Sequence, residues 1–143
     1  MRAHWLEYEH DFTLPPDRVF PYLAEHEHLA DVFGARVERL NHGDTERNGV
    51  GSRRKLWSAP GTPPFEETVT EFVPNERIVY KITDGSPLQG HVGIMVFTPT
   101  PSGGTHLSYR IRLASKIPGL AAIVKAGLGR NVRKGMAEVD AKA

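Results

Sequence analysis

The spacing of apolar side chains divides the chain into a short opening strand, two brief helical stretches, a run of strands and one long helix. From His4 to Thr13 the residues alternate, with Leu6, Tyr8, His10 and Phe12 on one face and Glu7, Glu9, Asp11 and Thr13 on the other. That period predicts a half-buried strand with an acidic outside. Pro15-Pro16-Asp17 then favours a helix start near Pro16, because proline is tolerated in the first turn and a carboxylate complements the helix dipole there. Val19, Phe20 and Leu23 follow at helical spacing, and Glu25 to Phe33 reads as a second short helix stopped by Gly34. A strand over Ala35 to Leu40 comes next, followed by turn signals at Asn41-His42-Gly43-Asp44 and Asn48-Gly49.

Five further strands are predicted over Gly51 to Ser58, Phe65 to Val73, Arg77 to Thr83, Gln89 to Thr98 and Thr105 to Leu113. The Pro/Gly-rich segment Ser58 to Pro64 reads as a hairpin loop between two of them. The last helix is expected from Pro118 to Val139, where Leu120, Ala121, Val124, Leu128, Val132, Met136 and Val139 recur at three- and four-residue steps. At 1.5 Å per residue, its ~22 residues would span ~33 Å, enough to cross a small sheet. Such a helix must bury its apolar stripe, and the inward faces of the preceding strands are the nearest apolar surface. Gly119, Gly127, Gly129 and Gly135 weaken it, so they are expected to leave room for a ligand or for close sheet contact.

Alternation assigns inward residues: Tyr8 and His10 on the first strand, Ile78, Tyr80 and Ile82 on the fifth, His91, Met95 and Phe97 on the sixth, and Leu107, Tyr109, Ile111 and Leu113 on the seventh. Strand six has a second apolar face, Val92, Ile94 and Val96, which would meet a dimer partner or a loop. Strand three is open between Arg53, Lys55, Trp57 and Arg54, Leu56. The Trp57 face is favoured because an indole is costly to leave in water.

Composition narrows the function classes. At 143 residues, the chain suits one domain spanning 1–143, and no solenoid repeat is visible. Eighteen Lys and Arg against 17 Asp and Glu leave a net charge of +1, so no global field recommends nucleic acid or an anionic membrane. The four cations Lys125, Arg130, Arg133 and Lys134 on the last helix read as a solubilising outer face. No cysteine is present, which excludes disulfides, thiolate metal sites and a cysteine nucleophile, and makes the cytoplasm the default location. The N-terminus lacks a signal-peptide run, and no window approaches the ~20 apolar residues of a membrane span, so stable membrane insertion is not expected. In Glu25-His26-Glu27-His28 the histidines stand at i and i+2, about 200° apart on a helix, where helical zinc pairs use i and i+4. Gly49-Val50-Gly51 lacks the context of a dinucleotide loop, and no serine sits in a nucleophile elbow. No metal or other cofactor is expected.

Three runs carry a family resemblance: Phe12-Thr13-Leu14-Pro15-Pro16-Asp17-Arg18-Val19-Phe20, then Glu67 to Pro74 with Ile78-Val79-Tyr80, and Gly104-Thr105 leading to Tyr109. With the order of elements, they make the chain resemble the START-like (helix-grip) superfamily, in its SRPBCC-type polyketide cyclase/dehydrase and lipid-transport branch. The resemblance implies an α+β fold: a seven-stranded antiparallel sheet wrapped around a long C-terminal helix, two short helices between strands one and two, and a hydrophobic cavity between sheet and helix. It does not imply one reaction, so function must come from the cavity residues.

The expected cavity is lined by Tyr8, Trp57, Tyr80, Met95 and Tyr109, with His10 and His91 as polar points. Such walls suit a small hydrophobic ligand, aromatic, polyketide-like or lipid-like, with oxygen groups for orientation. The histidines are the plausible proton carriers near neutral pH, but no carboxylate is placed by sequence to orient them, and neither is assigned as catalytic. Binding or carriage of such a ligand is the leading expectation. A cyclase or dehydratase acting on it is the first alternative, and a protein-interaction module of toxin-antitoxin or co-chaperone type with a filled cavity is the second. A monomer or weak homodimer is expected.

Overall fold

The structure, a computed structural model, describes residues 1–58 and 61–143. The expected hairpin loop from Ser58 to Pro64 falls partly on Ala59 and Pro60, which lie outside the described residues. Seven strands form one antiparallel sheet: β1 (His4–Phe12), β2 (Arg36–Asn41), β3 (Arg53–Trp57), β4 (Phe65–Val73), β5 (Arg77–Asp84), β6 (Val92–Pro99) and β7 (Thr105–Leu113). Their order across the sheet is β1-β7-β6-β5-β4-β3-β2. The first strand therefore pairs with the last, from His4 opposite Leu113 to Phe12 opposite Thr105. Helix α1 (Pro16–Ala24), a 3-10 turn (His26–Leu29) and helix α2 (Ala30–Phe33) carry the chain from one edge strand to the other, and Gly34 ends α2 with φ 63°. Helix α3 (Leu120–Met136) packs on the face of the sheet that carries the hydrophobic core. Among the described residues, no helix is long and apolar enough to cross a membrane.

The β1–β7 register explains the core. Tyr8 stands opposite Tyr109 and Leu6 opposite Ile111, so alternate residues of both strands share the face toward α3. Leu107, Tyr109, Ile111 and Leu113 are all buried there. In β4 a register shift between Val69 and Glu71 changes the parity, so Glu67 and Val69 point inward before the bulge and Phe72 after it. Phe72 and Phe97 then meet the ring of Phe20 on α1 edge-on, at 5.3 and 5.0 Å. The outer apolar residues of β6 are half-buried, with Val92 and Ile94 paired to Arg112 and Arg110 and Val96 to Arg77.

Two expectations are corrected. On β3 it is Arg54 and Leu56 that are buried, while Trp57 lies on the outer face. The indole is shielded there by Arg36, whose guanidinium sits 4.5 Å from the ring centroid, and by the Lys55 ammonium at 5.6 Å. The C-terminal helix is shorter than expected, stopping at Met136 before a further turn of helix, α4 (Val139–Lys142). The break lets the Asp140 carboxylate accept the backbone N–H groups of Thr13 and Leu14 at 3.0 and 3.2 Å, tying the chain's end to the β1–α1 junction.

The helix glycines divide by contact. A Cβ on Gly135 would stand 2.7 Å from the backbone of Val32, and one on Gly129 would stand 3.1 Å from Leu6 Cδ1. At Gly127 a Cβ would meet nothing within 4 Å. Replacing a helical glycine by alanine gains up to ~1 kcal/mol of propensity, whereas overpacking against backbone costs ~1–3 kcal/mol. Gly135→Ala is therefore expected to destabilise the protein and Gly127→Ala to stabilise it, as read from urea unfolding of the two variants side by side.

Candidate functional site

Between the N-terminal half of α3, the end of α2 and strands β3 to β5 lies a cavity of about 320 Å³. Its walls are apolar: Phe33, Leu56, Phe65, Ile82, Leu88 and Leu113, with Val124, Gly127 and Leu128 from α3. Tyr80, Glu67, His91 and Asn131 add polar groups. The cavity exists on this side because α3 is held close to β1 and α2 further along, through the contacts of Gly129 and Gly135 and the buried Val132 and Met136.

The polar end is built around a buried ion pair. Arg54 and Glu67 are direct cross-strand partners on β3 and β4, both almost fully buried, and Arg54 Nε donates to Glu67 Oε1 at 2.8 Å. The guanidinium lies over the Tyr80 ring at 4.6 Å and near the Phe33 ring at 5.4 Å. Its Nη2 has no hydrogen-bond partner among the described residues. The second Glu67 oxygen stands 3.9 Å from His91 Nε2. The backbone N–H of Ile82 donates to His91 Nδ1 at 3.0 Å. A ring that accepts at Nδ1 carries its proton on Nε2, on the side of Glu67.

Burial pushes the His91 pKa below the ordinary histidine value; the Glu67 carboxylate opposes that effect and the Arg54 charge reinforces it. The ring is thus neutral at pH 7 and serves as an N–H donor. The Tyr80 and Tyr109 hydroxyls are hydrogen-bonded to each other. Burial raises the pKa of both phenols, so both keep their protons. The site can accordingly offer O–H and N–H donors to an oxygen-bearing ligand in apolar surroundings, with one carboxylate beside the imidazole but beyond hydrogen-bond distance of it.

Beside this group lies a second buried histidine. His26 Nε2 is 3.0 Å from Ser52 Oγ, whose hydroxyl donates to the Gly49 carbonyl at 2.7 Å, so the imidazole N–H donates to Ser52. Burial first, then the Arg54, Arg39 and Arg47 charges, lower its pKa to about 3. His28 instead stacks on Tyr22 and bonds its carbonyl at 2.9 Å. The two histidines thus have separate partners.

Of the residues expected from sequence, Tyr80 and His91 line the cavity. Tyr109 and Met95 are buried behind it, Tyr109 through its bond to Tyr80. Tyr8 and His10 hydrogen-bond each other at 3.0 Å on β1, away from the lining, and Trp57 is on the outer face. Arg54 and Glu67 were missed as site residues. Their signal is visible in retrospect: opposite charges sharing the parity of Leu56 and Val69 on consecutive strands.

Residues 4–143 match the family described as polyketide cyclase / dehydrase and lipid transport. The chain belongs to that family. No curated protein sequence matches it. Among solved structures, a protein from Thermus thermophilus superposes with a TM-score of 0.75 at 20% identity, covering 96% of this chain and 95% of that one. The Zhui aromatase/cyclase of a Streptomyces species gives 0.72 at 19% identity, covering 97% and 94%. Norcoclaurine synthase from Thalictrum flavum, in complex with dopamine and hydroxybenzaldehyde, gives 0.72 at 16% identity, covering 99% and 86%. These likenesses establish the helix-grip fold.

Two measurements follow from the buried charges. Arg54→Leu strands the Glu67 carboxylate and is expected to cost ~3–5 kcal/mol in denaturant unfolding, while the double variant Arg54→Leu/Glu67→Leu recovers most of that loss. For His26, the folded pKa of about 3 lies below the ordinary 6.5, so under pH 6.5 the unfolded chain takes up a proton that the folded one refuses. Stability should fall by about 1.4 kcal/mol per pH unit from this residue between those values, and His26→Gln should remove that slope.

Proposed function

We propose that the protein binds a small, uncharged, hydrophobic molecule bearing carbonyl or phenolic oxygens, held between α3 and strands β3 to β5. The observation that carries this reading is the cavity itself, about 320 Å³, walled by aliphatic and aromatic side chains and ending on Tyr80 and His91. That volume falls at the small end of ligand sites, and a few convergent donors in an apolar pocket are what orient such a ligand. An uncharged ligand is favoured because Arg54 and Glu67 already neutralise each other, so a buried net charge would find no counter-charge. An aromatic ligand suits the rings of Phe33, Phe65 and Tyr80. The phenolic compounds bound by norcoclaurine synthase, a protein of like fold, agree with this class.

The second reading is an enzyme of the cyclase or dehydratase kind. It is favoured by one feature, the neutral His91 whose Nε2 proton faces Glu67 at 3.9 Å. The His91 Nε2–H and the Tyr80 hydroxyl would polarise a ligand carbonyl, and the Glu67 carboxylate, which also lines the cavity, would take a proton from the ligand directly and return it. A filled-cavity interaction module has less support, since the space beside Gly127 is open.

The test begins with mass spectrometry of molecules released on denaturing the purified protein, alongside titration of an apolar fluorescent dye. The parent is expected to bind the dye, and Gly127→Leu, which fills the cavity with a good helix former, to bind at least tenfold more weakly with no loss of stability on unfolding. No released molecule and no dye binding by the parent would refute the reading. Turnover of a released ligand, abolished in His91→Phe with binding retained, would promote the enzyme.

A further inference from the structure

From Gly85 to Ala137 the chain has seven cationic side chains and no acidic one. That stretch carries a charge of +7 and the rest of the chain −6, so the net +1 conceals a strong division. Two of the seven are engaged on the outer sheet face: Arg110 pairs with Glu7, and Arg112 donates to the Gln89 and Gly90 carbonyls. The other five, on residues 116–134, form no salt bridge among the described residues.

The same segment holds the most exposed internal apolar side chains. Ile123 is 71% exposed and Ile117 52%. Ile123, Ala126, Arg130 and Lys134 follow each other at three- and four-residue steps, all exposed, and make one outward stripe of α3 with an apolar end and a basic end. The apolar end borders the cavity, for Val124 and Gly127, next to Ile123 along the helix and one turn on, line it.

We propose that this outer face of α3 docks reversibly on an anionic lipid bilayer. Ile117 and Ile123 enter the headgroup boundary, while Lys116, Arg130 and Lys134 face the lipid phosphates. A helix with an exposed isoleucine at one end of a stripe, unpaired cations at the other, and a further exposed isoleucine in the segment leading into it matches a surface that is apolar inside and negative outside. Nucleic acid would use the cations but leave the isoleucines in water. A two-fold dimer through this face would set like charges against each other. Docking in this way brings the cavity-lining Val124 and Gly127 close to the lipid, a source of hydrophobic ligand. That last consequence rests on the ligand-binding reading, whereas the docking does not.

The test is co-sedimentation of the full chain with phosphatidylcholine vesicles, with and without about a third phosphatidylglycerol. Binding is expected only to the anionic vesicles at about 0.1 M salt and should be lost near 0.5 M, where screening is strong. Each cation near an anionic surface contributes about fivefold, so Arg130→Glu/Lys134→Glu should weaken partition at least tenfold, and Ile123→Ser several-fold. None of these residues lines the cavity, so dye binding and unfolding should be unchanged. Equal binding to both vesicle types, no binding at all, or indifference to these variants would overturn the proposal. So would self-association, or an oligonucleotide gel shift, that the charge reversals abolish while vesicle binding persists. Vesicle binding without dye binding would sustain the docking and remove the ligand-binding reading; the converse would do the opposite.

Discussion

A charge cannot enter the interior of a sheet without a counter-charge at hydrogen-bond distance, and the pair Arg54–Glu67 satisfies that constraint by direct cross-strand pairing of β3 and β4. Much else follows from it. With Arg54 inward, Leu56 is inward too and Trp57 is turned out under Arg36. The guanidinium plane supports the Tyr80 ring, and that hydroxyl in turn holds Tyr109. The free side of the Glu67 carboxylate faces His91, whose proton position is set by the Ile82 backbone. Strand facing, aromatic packing and the polar end of the cavity are thus one arrangement.

The cavity's shape depends on a second constraint, the distance between α3 and what it covers. Gly129 and Gly135 let the helix approach Leu6 and Val32 to within contact distance. Toward its N-terminus the helix presents Val124, Gly127 and Leu128 over β3 to β5, and nothing reaches the empty position at Gly127. The asymmetry leaves the outer side of the first turns of α3 exposed next to the pocket.

Family membership supplies the frame, and the frame is shared with proteins at 16 to 20% identity. Such likeness reflects backbone constraints, hydrophobic alternation and turn positions, which many side-chain sets satisfy. Chemistry belongs to the few residues at the polar end, where burial keeps His91 neutral and the phenols protonated. These settings favour holding an oxygen in place by donated hydrogen bonds.

The elements themselves were legible in the sequence because alternation, helical spacing and Gly/Pro punctuation act locally. Strands β4 and β7 run as read, from Phe65 to Val73 and from Thr105 to Leu113, and Gly34 ends α2 as a left-handed residue must. Tyr80 reached the cavity on its strand parity, whereas His91, just before β6, lines it although both faces of that strand are apolar in sequence. Local pattern could not decide the facing of β3, since Trp57 and Arg54 each carry both an apolar and a polar argument, and a partner thirteen residues away on the next strand settles it. Nor could it distinguish Tyr8 and His10 from cavity residues, because parity names a face of the sheet and not the distance of the helix from it. The helix glycines looked alike in sequence. Only the tertiary approach of Leu6 and Val32 made two of them contacts and left Gly127 open, because packing distance is set by side chains far apart in the chain.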